Sequence, residues 1–190
     1  MRRRIRITDS EHPHPVVPNV LARDFSANAL NQKWVGDILG VWTAEGWLYV
    51  AALLDTFSRR VVGLVMSAWR DEPLVEASLR MALGQRVPER LLIHHTDRGS
   101  QYTADDYLAL LKAYGVCVSM SGKGDPYDNA MAESFFSTLR AECVELQRFA
   151  TRREARLAVF EYVMVFYNRQ RLHSALGYCS PVDFEAAHSH

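Results

Sequence analysis

Residues 33–67 read KWVGDILGVWTAEGWLYVAALLDTFSRRVVGLVMS, and their pattern sets the fold. Three apolar runs, each short and rich in β-branched or aromatic residues, are parted only by TAEG and SRR. That arrangement predicts three antiparallel strands joined by tight turns. Beyond them the period changes. In DEPLVEASLRMALGQR (71–86) the apolar positions Leu74, Val75, Ala77, Leu79, Ala82 and Leu83 follow helical spacing, with Pro73 tolerated in the first turn. RLLIHHT (90–96) is a buried strand that stops at Asp97. TADDYLALLKAYG (103–115) is a helix, with Thr103 as its N-cap and Gly115 as its stop. VCVSM (116–120) is a short strand, and SGKGDPYD (121–128) a turn-rich loop.

From about residue 129 to 143 a helix carries Ala132, Phe135, Phe136 and Leu139 on one side; Asn129, Glu133, Ser137 and Arg140 share the other. Asp128 is its expected cap. A long helix (151–170) and a short one opened by Ser180 and Pro181 complete the chain. The order is three strands, helix, strand, helix, strand, helix, helix. It predicts an α/β fold with a five-stranded mixed sheet flanked by helices on both faces.

Lys plus Arg equals 22 and Asp plus Glu equals 22, giving no net charge. DNA-binding modules are usually basic, because phosphate neutralisation supplies much of their affinity. The neutral balance speaks against a simple module of that kind, and less against a nuclease whose acidic centre cancels a basic surface. Cys117, Cys143 and Cys179 are scattered and odd in number, which excludes a disulfide framework or a CxxC zinc site and fits a reducing cytoplasm. His12 and His14 belong to a basic, Pro-rich arm. No apolar stretch follows MRRRIRI, so it is no signal peptide, and the run from Trp47 to Leu54 is too short to span a bilayer.

Three acids stand out. Asp37 sits mid-strand among apolar residues, where a charge is costly unless it is paired. Asp97 lies just past a hydrophobic strand, a usual place for a functional group in an α/β sheet. Glu133 sits one turn into a helix, opposite its apolar stripe. Three carboxylates on three elements supply hard oxygen ligands of the kind that suit Mg²⁺ or Mn²⁺. Two such ions, roughly 3.5–4 Å apart, serve both the attacking and the leaving oxygen of a phosphodiester in an in-line displacement. Asp37 would bridge both ions, with Asp97 and Glu133 completing one each. The plainer reading of each acid stays open: a strand aspartate is often a salt-bridge partner, and a helix glutamate is often merely solvated. Asp55 is a rival acid, read here as a turn residue or the partner of Arg59. Asp105 and Asp106 suit the positive end of a helix dipole.

Several long motifs occur in order: NQKWVGDI, WTAEGWLYVAALLDTFSRRVVG, LIHHTDRGSQYTADDY, SMSGKGDPYDNAMAESFFSTLRAE and YNRQRLHSALGYCSP. With them the chain resembles transposases of the insertion sequence three family, within the retroviral-integrase-like group. That family's acidic triad falls on Asp37, Asp97 and Glu133. The last two are 133 − 97 = 36 positions apart, leaving the 35 intervening residues of the "DD35E" pattern. The resemblance implies an RNase H-like fold, a two-metal mechanism, and action on transposon ends and target DNA by a homo-oligomer. It places a catalytic core at residues 26–187, an arm at 1–25 that is the remnant of a linker, and a tail at 188–190. A helix-turn-helix that reads transposon ends is expected upstream or on a partner protein. Gly36 departs from the family, which often has Thr before the first acid.

Around the acids, Arg98, Gln101, Lys123, Tyr127 and Asn129 are the expected DNA contacts. Lys123 is a glycine-flanked phosphate ligand and Tyr127 a stacking platform. The bland alternative for HTDRGSQY is a turn. His94 and His95 alternate on their strand, so only one is expected to face the site. The chain is expected in the cytoplasm, on the nucleoid when bound to DNA. The competing expectation is a non-catalytic fragment that binds DNA or joins oligomers as an inhibitor.

Overall fold

The computed structural model describes residues 17–86, 88, 91–122 and 126–188. The three apolar runs form strands β1 (Lys33–Thr43), β2 (Gly46–Asp55) and β3 (Val61–Ser67), paired antiparallel. Strands β4 (Ile93–Thr96) and β5 (Cys117–Met120) add to the far side of β1 in parallel. The spatial order is β3-β2-β1-β4-β5. The helices are α1 (Glu72–Gln85), α2 (Asp105–Ala113), α3 (Ala130–Leu139), α4 (Arg152–Phe160) and α5 (Pro181–His188). α3 and α4 continue through wider π turns at Arg140–Val144 and Glu161–Tyr167.

Alternation along β1 divides the core. Val35, Leu39 and Val41 join Phe135, Leu139, Val159 and Val163 of the α3–α4 layer. Trp34 and Ile38 join Leu79, Leu83 and Leu111 of the α1–α2 layer. Asp37 shares the parity of Val35 and Leu39, so the pleat assigns it to the face that α3 covers. The α1 layer lies unusually close to the sheet at Gly63, where an added β-carbon would come 2.4 Å from the Ser78 carbonyl oxygen.

Local expectations failed where a tertiary neighbour supplied the missing group. Thr103 does not cap α2: the N-cap is Ala104, and the Thr103 hydroxyl donates to the Ser100 carbonyl. Glu72 of α1 instead accepts from the Tyr107 N–H in the first turn of α2 at 3.2 Å. Asp128 does not cap α3 either. Its carboxylate accepts from Gly122 N–H, Asn19 and Arg23, tying the N-terminal segment to the loop before the helix. Of the two readings of Asp55, the turn holds and the pair with Arg59 does not. Asp55 is fully buried, accepts from the Asn31 and Phe57 N–H groups, and lies 3.5 Å from Arg86. Arg86 also bonds Glu185, which accepts from Ser58 and Arg60 as well and so clamps α5 to the β2–β3 turn.

Residues 17–25, assigned to the arm, pack against β5. Leu21 is 2% exposed and donates its N–H to Ser119 Oγ. The boundary at 25 therefore falls inside a packed segment. Residues 1–16, with His12 and His14, and residues 189–190 of the expected tail lie outside the described residues. Among the described residues, no helix is long and apolar enough to cross a membrane.

Gly63→Ala should lower stability by about 1–3 kcal/mol, because the backbone of α1 must retreat from an overpacked contact. Urea unfolding at an unchanged m-value reads this as a lowered midpoint.

Candidate active site

Strand register brings the first two acids together. His95 of β4 pairs with Val35 of β1 in the parallel ladder. Asp97 follows directly on the end of β4, and its charge acts on Asp37. Across β1 on the other side, Asp37 faces Ala52, whose methyl group leaves the carboxylate room. Glu133 comes from the first turn of α3 and is exposed. α3 is fixed at its base by Asn129, whose side-chain N–H donates to the Gly36 carbonyl at 3.1 Å, one residue before Asp37. Gly36 has a reason of its own: a β-carbon there would lie 2.5 Å from the Leu53 side chain and 3.4 Å from His94. Thr in its place would force Leu53 aside.

Each acid is positioned by its own backbone. Asp37 Oδ1 accepts from the Ile38 N–H at 2.7 Å. Asp97 Oδ1 accepts from the Gly99 N–H at 2.9 Å, the closure of a tight turn. Burial first, and then the charge of Asp97, push the Asp37 carboxyl from the usual 3.8 up to about 8, with Glu133 adding to the rise. Burial and Asp97 raise Glu133 too. Arg70, in the turn between β3 and α1, is the cation that acts against the rise at Asp37, but it forms no ion pair with it among the described residues. The three carboxylates therefore feel one another. Among the described residues, no three His, Cys, Asp or Glu side chains stand close enough to hold a metal ion as they lie. The donor set nonetheless fits a hard divalent cation: three oxygen acids with surplus negative charge, one of them on an exposed side chain.

The remaining expected site residues divide. Arg98 Nε donates to the Ser121 carbonyl at 2.6 Å and joins the ends of β4 and β5. Gln101 turns inward, donating to the Arg70 carbonyl, with its own oxygen buried and without a partner. Asn129 is 4% exposed and occupied with Gly36, so burial removes it from direct contact with a duplex. Tyr127 is 70% exposed beside the Arg23 guanidinium. Lys123 lies outside the described residues. Neither histidine faces the acids. His94 bonds Tyr107, and His95 sits between Ser119 and Ser121; burial, foremost, keeps both rings neutral, down to about 3 and about 4. Arg70 carries no signal in the sequence, because only the fold of its turn brings it near Asp37.

A five-stranded mixed sheet with acids at the end of β4, in the middle of β1 and on a covering helix is the arrangement of an RNase H-like nucleic-acid-processing core. Two models of the integrase core domain match the chain, over residues 27–126 and 114–181. The chain belongs to the integrase core domain family. It is 45% identical over 172 residues to the transposase for insertion sequence element IS904 of Lactococcus lactis subsp. lactis, covering 90% of this chain and 68% of that protein. It is 47% identical over 174 residues to transposase InsF for insertion sequence IS3A of Escherichia coli K12, covering 92% of this chain and 60% of that one. The resemblance to insertion sequence three transposases thus holds over nearly the whole chain, which spans only part of these relatives. The fold matches the HTLV-2 integrase catalytic core domain, solved in complex with magnesium in a dimeric form. The TM-score is 0.59 at 13% identity, over 84% of this chain and 99% of that one. It also matches a chain of the simian T-cell lymphotropic virus intasome in complex with PP2A regulatory subunit B56 gamma, at TM-score 0.70 and 14% identity, over 92% of this chain and 60% of that one.

An acid that binds its proton more tightly folded than unfolded loses stability as pH rises between its two pKa values. For Asp37 that window runs from 3.8 to about 8. In metal-free buffer at pH 7.5, Asp37→Asn should therefore be more stable than the parent. Thermal melts should show the advantage vanishing near pH 4, and added Mg²⁺ should raise the melting temperature of the parent only.

Proposed function

We propose that this chain carries the DNA-cutting and DNA-joining centre of a transposase, with Asp37, Asp97 and Glu133 as metal ligands. One observation carries the reading: carboxylates from three elements, at the family's spacing, act on one another, with Asp97 raising the proton affinity of Asp37 and of Glu133. Two Mg²⁺ or Mn²⁺ ions held there would supply an activated oxygen nucleophile and a stabilised leaving oxygen.

The chain's own groups do the rest. A cation held there would favour the deprotonated form of Asp37, so metal affinity would rise with pH. Glu133 sits exposed on a helix that Asn129 anchors, where its side chain would complete the ligand set. Gln101 and Arg98 shape the turn that presents Asp97. Lys123 and Tyr127 are the proposed contacts to phosphate and base, while Asn129 acts on DNA only through the placement of α3. The substrates are transposon ends and target DNA, brought together by a homo-oligomer. A helix-turn-helix segment, upstream or on a partner, reads the ends. The protein works in the cytoplasm, on the nucleoid.

Purified protein incubated with pre-nicked transposon-end DNA and Mg²⁺ should join the 3′ end to a target duplex. Asp97→Asn should reduce joining on the order of 10³-fold or more, with folding unchanged by circular dichroism. A parent protein that binds the duplex yet joins nothing, with or without Mg²⁺ or Mn²⁺, would instead mark a core that occupies DNA without chemistry.

A further inference from the structure

The motif YNRQRLHSALGY has no part in the acidic site, yet the fold gathers it around a cleft of about 380 Å³. One wall is the face of α3 next to Glu133, with Ser134 and Thr138; the other is the segment from Arg171 to Tyr178, and Arg59 enters from the β2–β3 turn. Two features are unexplained by packing. Arg59 is half-buried and makes no hydrogen bond or ion pair among the described residues, although it occupies a left-handed backbone conformation with φ 59°. Such a conformation is uncommon for a residue with a long side chain. His173 is 8% exposed, and its Nε2 is buried without a partner.

The charges around that ring do not balance. Burial first, then Arg171 and Arg59, hold His173 neutral, down to about 4. Glu142 opposes them, but both its oxygens are already engaged by Arg171, and one also accepts from Tyr162 at 2.6 Å. Two guanidiniums thus face one carboxylate, and the second guanidinium has no anion.

We propose that this cleft binds a phosphate of the DNA backbone, held by Arg59 and Ser134, with Arg171 adding charge and His173 Nε2 closing the site. This inference rests on the reading of the chain as a DNA-acting core and adds to it a second contact away from the acids. The five-residue step along α3 from Glu133 to Thr138 rises about 7.5 Å, so a strand seated at the acids and running along the helix reaches the cleft within a nucleotide or two. Arrival of the anion supplies the missing charge at Arg59. It also lets the His173 ring take a proton and turn Nε2 from an acceptor into a donor.

The test measures binding of a fluorescent 30-base-pair duplex without metal, across a salt series. Arg59→Asn is the informative variant, because Asn tolerates the left-handed backbone; Arg59→Lys keeps the charge. The Asn variant should bind about tenfold more weakly at low salt, and its plot of log affinity against log salt should flatten by about one unit. The Lys variant should keep the parental slope. In NMR titrations the His173 ring should titrate at higher pH when the duplex is bound. An Asn variant with parental affinity and slope would overturn the proposal. So would an Asn variant that changes only the oligomer mass in sedimentation, since the cleft would then be a protein contact. A parent that binds duplex but joins nothing would sink the reading of the acids and leave the cleft standing; a parent that binds no duplex would sink both.

Discussion

The parallel pairing of β4 with β1 is the constraint on which the site depends. Asp37 and Asp97 lie far apart in sequence, and only the match of His95 to Val35 sets them side by side. A slip of one residue would turn one of the two acids to the opposite face of the sheet. The register is held from both sides: His95 bonds Ser119 and Ser121 near the end of β5, and Asn129 bonds the backbone of β1. Side chains near the acids that look functional are thus largely the fasteners that keep two carboxylates in range of each other.

Elsewhere the molecule neutralises its buried charge with care. Glu185 is held below its usual range, against the effect of burial, by Arg86, Ser58 and Arg60. Asp128 is held low chiefly by Arg23 and the Gly122 N–H. The acidic centre departs from that habit. Asp37 is partly buried near two other acids, and only the Ile38 N–H and Arg70 act against the rise. Where the other carboxylates are held ionised by cations and N–H donors, burial and neighbouring acids favour the protonated form of Asp37.

The same accounting marks Arg59. Its neighbour Arg60 is paired and the acid expected to meet it, Asp55, is satisfied by backbone N–H groups. What is left is a cation beside an orphaned imidazole nitrogen, the mirror image of the acid cluster. A chain with no net charge can therefore still present one locally acidic and one locally basic surface to a polyanion.

Much was legible in the sequence because it is local. Alternation in residues 33–67 marks three strands, since side chains on a strand must face opposite sides; helical spacing marks α1, α3 and α4; and the family resemblance, not local pattern, singles out the three acids. What the sequence could not show depends on partners distant along the chain. Asn129 looks exposed by helical phase but is buried, because β1 offers it a carbonyl at Gly36. Thr103 and Asp128 look like caps, but Glu72 supplies an acceptor to α2 from another helix, and Asn19 and Arg23 claim Asp128 from the N-terminal segment. Sequence alone determined the elements and the placing of helices on both faces of a mixed sheet, because period and composition act within a few residues. Only the tertiary structure decided which polar groups are spent on holding the fold and which remain free to bind, because a hydrogen bond is settled by whichever partner arrives first in space.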